Sequence, residues 1–137
     1  MARASRGLAC DTSVLIAALS AWHPRHESAR EAGGRLRAVS AHVLLETYST
    51  LTRLPVHRVS AQVAHEAVAG LGLSAIALPA ERHLEVIAAL SRHGIKGGAV
   101  YDGLIAATAA HHDLPLLTMD RRARATYDAL GVSYVVV

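Results

Sequence analysis

The chain has 137 residues, enough for one domain with a sizeable core, and 52% of them are hydrophobic. This excludes a disordered chain, and no apolar run reaches the ~18 residues that a membrane-crossing helix needs. The single cysteine, Cys10, excludes a disulfide framework and fits a reducing cytosol; Asp11 interrupts the apolar stretch that follows Arg3 and Arg6 too early for a signal peptide. The net charge is +3, carried by thirteen Arg and one Lys, Lys96. Arginine grips phosphate bidentately and stacks on bases, which suits nucleic acid. Genomic base composition also produces an Arg-rich, Lys-poor chain, so charge alone decides little.

In chain order, residues 7–10 form a short buried strand that ends abruptly in Asp11. A first helix is expected over 12–21, capped by the Asp11-Thr12-Ser13 turn, and a second from Pro24 to about Arg35. Ser40 caps a third helix, 41–54, whose apolar face reads Val43, Leu44, Tyr48 and Leu51, and which carries Glu46. Ser60 caps a fourth, to about Ala69. A second buried strand is expected at 75–78. Pro79 opens a fifth helix, 80–92, with Leu84, Ile87, Ala88 and Leu90 expected inward. The sixth helix, 99–111, is apolar nearly all round yet contains Asp102, which should therefore be largely buried. Residues 114–119 form a third strand ending in Asp120. A basic amphipathic helix, 121–130, and a last strand, 132–137, complete the chain. Strands alternating with helices imply an α/β protein with a parallel sheet covered on both faces. There is no linker-like break in composition, so residues 1–137 read as a single domain.

Of the eleven Asp and Glu, most lie on polar helix faces, and Asp113 reads as a turn residue. Four sit against apolar neighbours: Asp11, Glu46, Asp102 and Asp120. Taken singly, Asp11 and Asp120 read equally well as helix caps, and Glu46 as a partner of His42 or Arg53. Taken together they are harder to dismiss. Parallel strands present their carboxyl ends on one edge, where ligands of open α/β sheets bind. Carboxylates gathered there repel one another unless a hard divalent cation, Mg²⁺ or Mn²⁺, sits among them.

The segments 11–16, Glu46 in its helix, 101–109 and 116–120 together resemble the PIN-domain ribonucleases, and within them the VapC-type toxins of toxin–antitoxin pairs. The resemblance runs from about Leu8 to Val137. It implies a three-layer α/β/α sandwich around a central parallel sheet, and Mg²⁺- or Mn²⁺-dependent endonucleolytic cleavage of RNA that leaves a 5′-phosphate and a 3′-hydroxyl. It also implies a homodimer silenced by a cognate antitoxin in the cytoplasm. Carried over by position, Asp11, Glu46, Asp102 and Asp120 are the catalytic and metal-holding acids, and Ser13 and Thr118 support them. Arg121, Arg122 and Arg124, just beyond Asp120, read either as contacts to RNA phosphates or equally as a solvated or antitoxin-facing helix surface. Ala123 stands where some relatives have Phe, which bears on packing and not on chemistry.

Two other readings stay open. A metal-independent histidine ribonuclease would use two of the nine His as acid and base, although they are scattered; the spacing of His23 and His26 makes only a weak zinc motif. A non-catalytic RNA- or protein-binding module of the same fold is the third. Phosphatase and phosphoreceiver patterns fail because Ser13 stands where the first needs a second acid, and Cys10 where the second needs one.

Overall fold

The computed structural model describes residues 7–137; Arg3 and Arg6 lie outside them. The elements are β1 (Ala9–Cys10), α1 (Thr12–Leu19), α2 (His26–Gly33), β2 (Ala38–Ser40), α3 (Ala41–Arg53), α4 (Ala61–Ala69) and β3 (Ser74–Ile76). A 3₁₀ turn, Ala80–Arg82, leads into α5 (His83–Arg92), followed by α6 (Ala99–His111), β4 (Leu116–Thr118), α7 (Arg124–Ala129) and β5 (Tyr134–Val136).

Every strand pairing is parallel: β1 with β4, β4 with β5, and β2 with β3. A parallel bridge between Leu8 and Leu36 joins the two groups, so the spatial order is β3-β2-β1-β4-β5. It is held by Leu8 N–H donating to Arg35 O at 3.1 Å and Arg37 N–H donating to Leu8 O at 2.9 Å. From β1 the chain winds outward one way through β2 and β3, then crosses back to β4 and β5. Right-handed crossovers therefore put α1 to α4 on one face and α5 to α7 on the other. The packing agrees: α1 lies against α2 and α3, and α6 against α5 and α7. The core runs through the central strands, with Cys10, Leu116 and Leu117 closed in by Val14 and Leu15 of α1, Val43 of α3, Ile105 and Ala106 of α6, and Tyr127 of α7. The expected α/β/α sandwich with a central parallel sheet is what the chain forms.

Several expected details differ. The strand β2 has no signal in the sequence because three buried residues are too few to show a period. Leu84 and Ile87 are 78% and 55% exposed and Ala88 is exposed too, whereas Leu90 is buried as expected. Val86 and Ala89 join Leu90 on the inward side, nearly opposite Leu84 and Ile87. On α3, Tyr48 is exposed and Thr47 takes the buried place, its hydroxyl donating to Val43 O at 2.7 Å. The basic segment becomes helical only at Arg124; residues 121–123 form a turn.

Candidate active site

The sheet reverses its winding between β1 and β4, so the loops leaving those neighbouring strands diverge and open a crevice at their carboxyl ends. Asp11 follows β1, and Asp120 stands two residues beyond β4. Helices α3 and α6 begin at the same edge, and carry Glu46 in the second turn of α3 and Asp102 in the first turn of α6.

Asp11 is 3% exposed, and its carboxylate is thoroughly engaged. Its Oδ1 accepts from the Ser13 backbone N–H at 3.1 Å and from the Ser13 hydroxyl; its Oδ2 accepts from the Thr118 hydroxyl and from the Tyr127 hydroxyl at 2.8 Å. A carboxylate offers about four acceptor positions, and four donors occupy them. It therefore caps α1 as well as facing the crevice. Burial pushes its carboxyl above the usual range, against the pull of the Ser13, Thr118 and Tyr127 donors, and the charge of Asp120 pushes the same way.

The supporting hydroxyls also tie the two loops together. Ser13 Oγ accepts from Met119 N–H at 3.0 Å, and Thr118 Oγ1 accepts from Asp120 N–H at 3.0 Å. Asp120 Oδ1 in turn accepts from Arg122 N–H at 2.9 Å and closes the turn beyond β4. Ser13 and Thr118 thus occupy the supporting positions expected of them. Tyr127 was not expected: it lies 116 residues from Asp11, and its single phenol within a basic helix carries no signal in the sequence.

Asp102 is half-buried, and its carboxyl is pushed up to about 6 by burial, then by Asp120, Glu46 and Asp11. Asp120, Glu46 and Asp11 each lie within electrostatic reach of Asp102, which is less buried than the sequence suggested. Glu46 is also partly exposed and stands 3.4 Å from His42 Nε2. His42 lies flat against the ring of Tyr101, centroids 5.2 Å apart. Among the described residues no three His, Cys, Asp or Glu are drawn tightly enough together to make a ready-formed metal cage. The acids form an open set.

The arginines differ from one another. Arg121 and Arg122 are exposed, but Arg124 is half-buried and its Nε has no hydrogen-bond partner among the described residues. The histidines remain dispersed. His23 Nδ1 accepts from Arg25 N–H, while ring nitrogens of His26, His83 and His112 lie against the backbone oxygens of Ala17, Pro79 and Ala77. The His23–His26 spacing therefore does not build a metal site.

A twisted parallel sheet with carboxylates at its switch point defines an acid-site α/β domain, and the chain belongs to the PIN-domain family, whose model matches residues 8–129. Within it the chain groups with the VapC ribonucleases. It is 41% identical over 132 residues to "Ribonuclease VapC40" of Mycobacterium tuberculosis, covering 95% of this chain and 98% of that protein. It is 38% identical over 136 residues to "Ribonuclease VapC27" of the same organism, covering 94% and 96%. The fold is shared with FitAcB from Neisseria gonorrhoeae, at TM-score 0.65, 23% identity, and 93% and 95% coverage. It is also shared with PAE2754 from Pyrobaculum aerophilum, at TM-score 0.62, 19% identity, and 93% and 82% coverage.

Proposed function

We propose that this protein is a metal-dependent endoribonuclease of one domain, the toxin of a toxin–antitoxin pair acting in the cytoplasm as a homodimer held silent by its cognate antitoxin. The observation that carries the catalytic part is Asp102, whose carboxyl is pushed up first by burial and then by the acids of three other segments. The VapC relatives, ribonucleases by name, support the RNA substrate and the pairing with an antitoxin.

The donor set fits Mg²⁺ or Mn²⁺ in kind. It is all carboxylate oxygen, it crowds negative charge, and its openness suits an ion that keeps several waters rather than one enclosed by protein. Asp102, Asp120, Glu46 and Asp11 would hold the ion, Asp11 giving up one of its four hydrogen bonds to do so. When bound, the ion would supply charge neutralisation at the phosphate and a more acidic water. Glu46, at the partly exposed mouth, would orient the attacking water and take its proton. Ser13, Thr118 and Tyr127 would keep Asp11 aimed at the crevice. Exposed Arg121 and Arg122 would hold flanking phosphates; Arg124, half-buried, is the least suited of the three.

Incubation of the purified protein with RNA tests this directly. Cleavage is expected with Mg²⁺ or Mn²⁺, none in EDTA, and none for Asp11→Asn or Asp102→Asn. Cleavage that persists in EDTA would favour the histidine mechanism, against which the dispersed histidines already weigh. Failure of Mn²⁺ to bind in a titration would favour a non-catalytic module.

A further inference from the structure

Tyr101 is conspicuous on α6. Gly103, Ile105, Ala106, Thr108 and Ala109 of this helix are buried, yet Tyr101 near its start is 52% exposed. An aromatic ring left in water gives up hydrophobic stabilisation that a planar partner would restore. The ring is also pre-organised. The imidazole of His42 lies parallel to it, with an interplanar angle of 8° and centroids 5.2 Å apart, and His42 is itself tethered by Glu46 at 3.4 Å. The pair bridges the starts of α3 and α6 at the mouth of the acid crevice. Glu46, which tethers His42, also acts electrostatically on Asp102 and so links the ring pair to the acids. A flat surface held beside a carboxylate cluster matches the two parts of a nucleotide, a planar base and a phosphate.

We propose that Tyr101, backed by His42, is a stacking platform for a nucleobase next to the phosphate being cleaved. The inference rests on the ribonuclease reading and deepens it. Base–aromatic stacking accepts any base, so the platform positions the strand without reading its sequence. It requires a base free to leave its own stack, so the nucleotide it takes is unpaired. Tyr101 acts here as a substrate-binding residue; His42 positions Tyr101.

The test uses the whole protein and a mixed-sequence single-stranded oligoribonucleotide carrying 2-aminopurine, with Ca²⁺ as the divalent ion for binding and Mg²⁺ for cleavage. Wild type and Tyr101→Phe are expected to bind and to quench the probe. Tyr101→Leu and Tyr101→Ala are expected to bind about 5- to 150-fold more weakly, the span reported for losing one stacked base, and to leave the probe bright. In cleavage their KM rises while kcat is kept. Leucine preserves bulk, so its loss separates stacking from packing, and His42→Ala gives a smaller loss in the same direction. Leu and Ala variants that bind and quench like wild type overturn the platform while leaving the ribonuclease reading intact. A wild type that neither binds nor cleaves RNA overturns both.

Discussion

Tyr127→Phe isolates the least expected contact of the site. The phenol is fully buried and donates to Asp11 Oδ2 at 2.8 Å; phenylalanine keeps the ring in the core and deletes only the donor. A hydrogen bond to a charged group contributes about 1.5–3 kcal/mol. Because the Thr118 hydroxyl remains on the same oxygen, the loss belongs in the lower half of that span, about 2 kcal/mol. At about 4 °C per kcal/mol for a chain of this size, Tm falls by roughly 8 °C. The loss should also depend on pH. Donors to a carboxylate favour its ionised form, so removing one raises the native pKa of Asp11 beyond the increase that burial already imposes. Native ionisation then becomes costlier, and the variant loses more stability on the alkaline side of the Asp11 titration than on the acid side. Urea denaturation of chelated protein at the acid and alkaline ends of the folded range measures this. A penalty under ~0.5 kcal/mol, well below a charged hydrogen bond and equal at both pH values, would refute the reasoning. Loss of a group that aims a ligand typically costs 10- to 100-fold in metal affinity, and a Mn²⁺ titration of the same variant checks that figure.

Asp102 has a native pKa of about 6 against its ordinary 3.8, so the folded, metal-free protein retains a proton that the unfolded chain releases. Stability should therefore fall as pH rises from about 4 to about 6, and Asp102→Asn should flatten that slope in urea midpoints measured with chelator present. Adding Mn²⁺ at neutral pH should raise the wild-type Tm and move the Asp102→Asn Tm much less. Thr118→Val removes both a donor to Asp11 and the acceptor of Asp120 N–H, and should cost about 2–4 kcal/mol in denaturant, more than Tyr127→Phe. Cys10 is fully buried and its thiol pKa is raised by burial and by Asp11, so a thiol reagent should label it only at the rate of unfolding.

Much of the site is legible because it is local. Asp11 caps α1 through Ser13, Ser40 caps α3 through His42, and Ser60 caps α4 through Val63, each within three residues. An acid after a buried strand is visible in the same way, and the parallel sheet follows from strands alternating with long helices. The pairing of Glu46 with His42 is an ordinary i,i+4 helix contact. The inward faces of α3 and α5 differ from the apolar pattern: on α3 a rotation of about one residue exchanges Tyr48 for Thr47, whereas on α5 the side opposite Leu84 and Ile87 turns inward, and only the packing of neighbouring elements decides which side that is.

The sequence by itself determined the α/β class, the caps of α1, α3 and α4, and that four acids lie against apolar surroundings. Only the tertiary structure decided that β1 and β4 are neighbours at the point where the sheet changes direction, that Tyr127 reaches back to Asp11, and that His42 lies flat on Tyr101. Caps and periodicities involve residues a few positions apart, whose geometry the backbone already constrains. Contacts across a hundred residues exist only once burial of the core has chosen which surfaces meet.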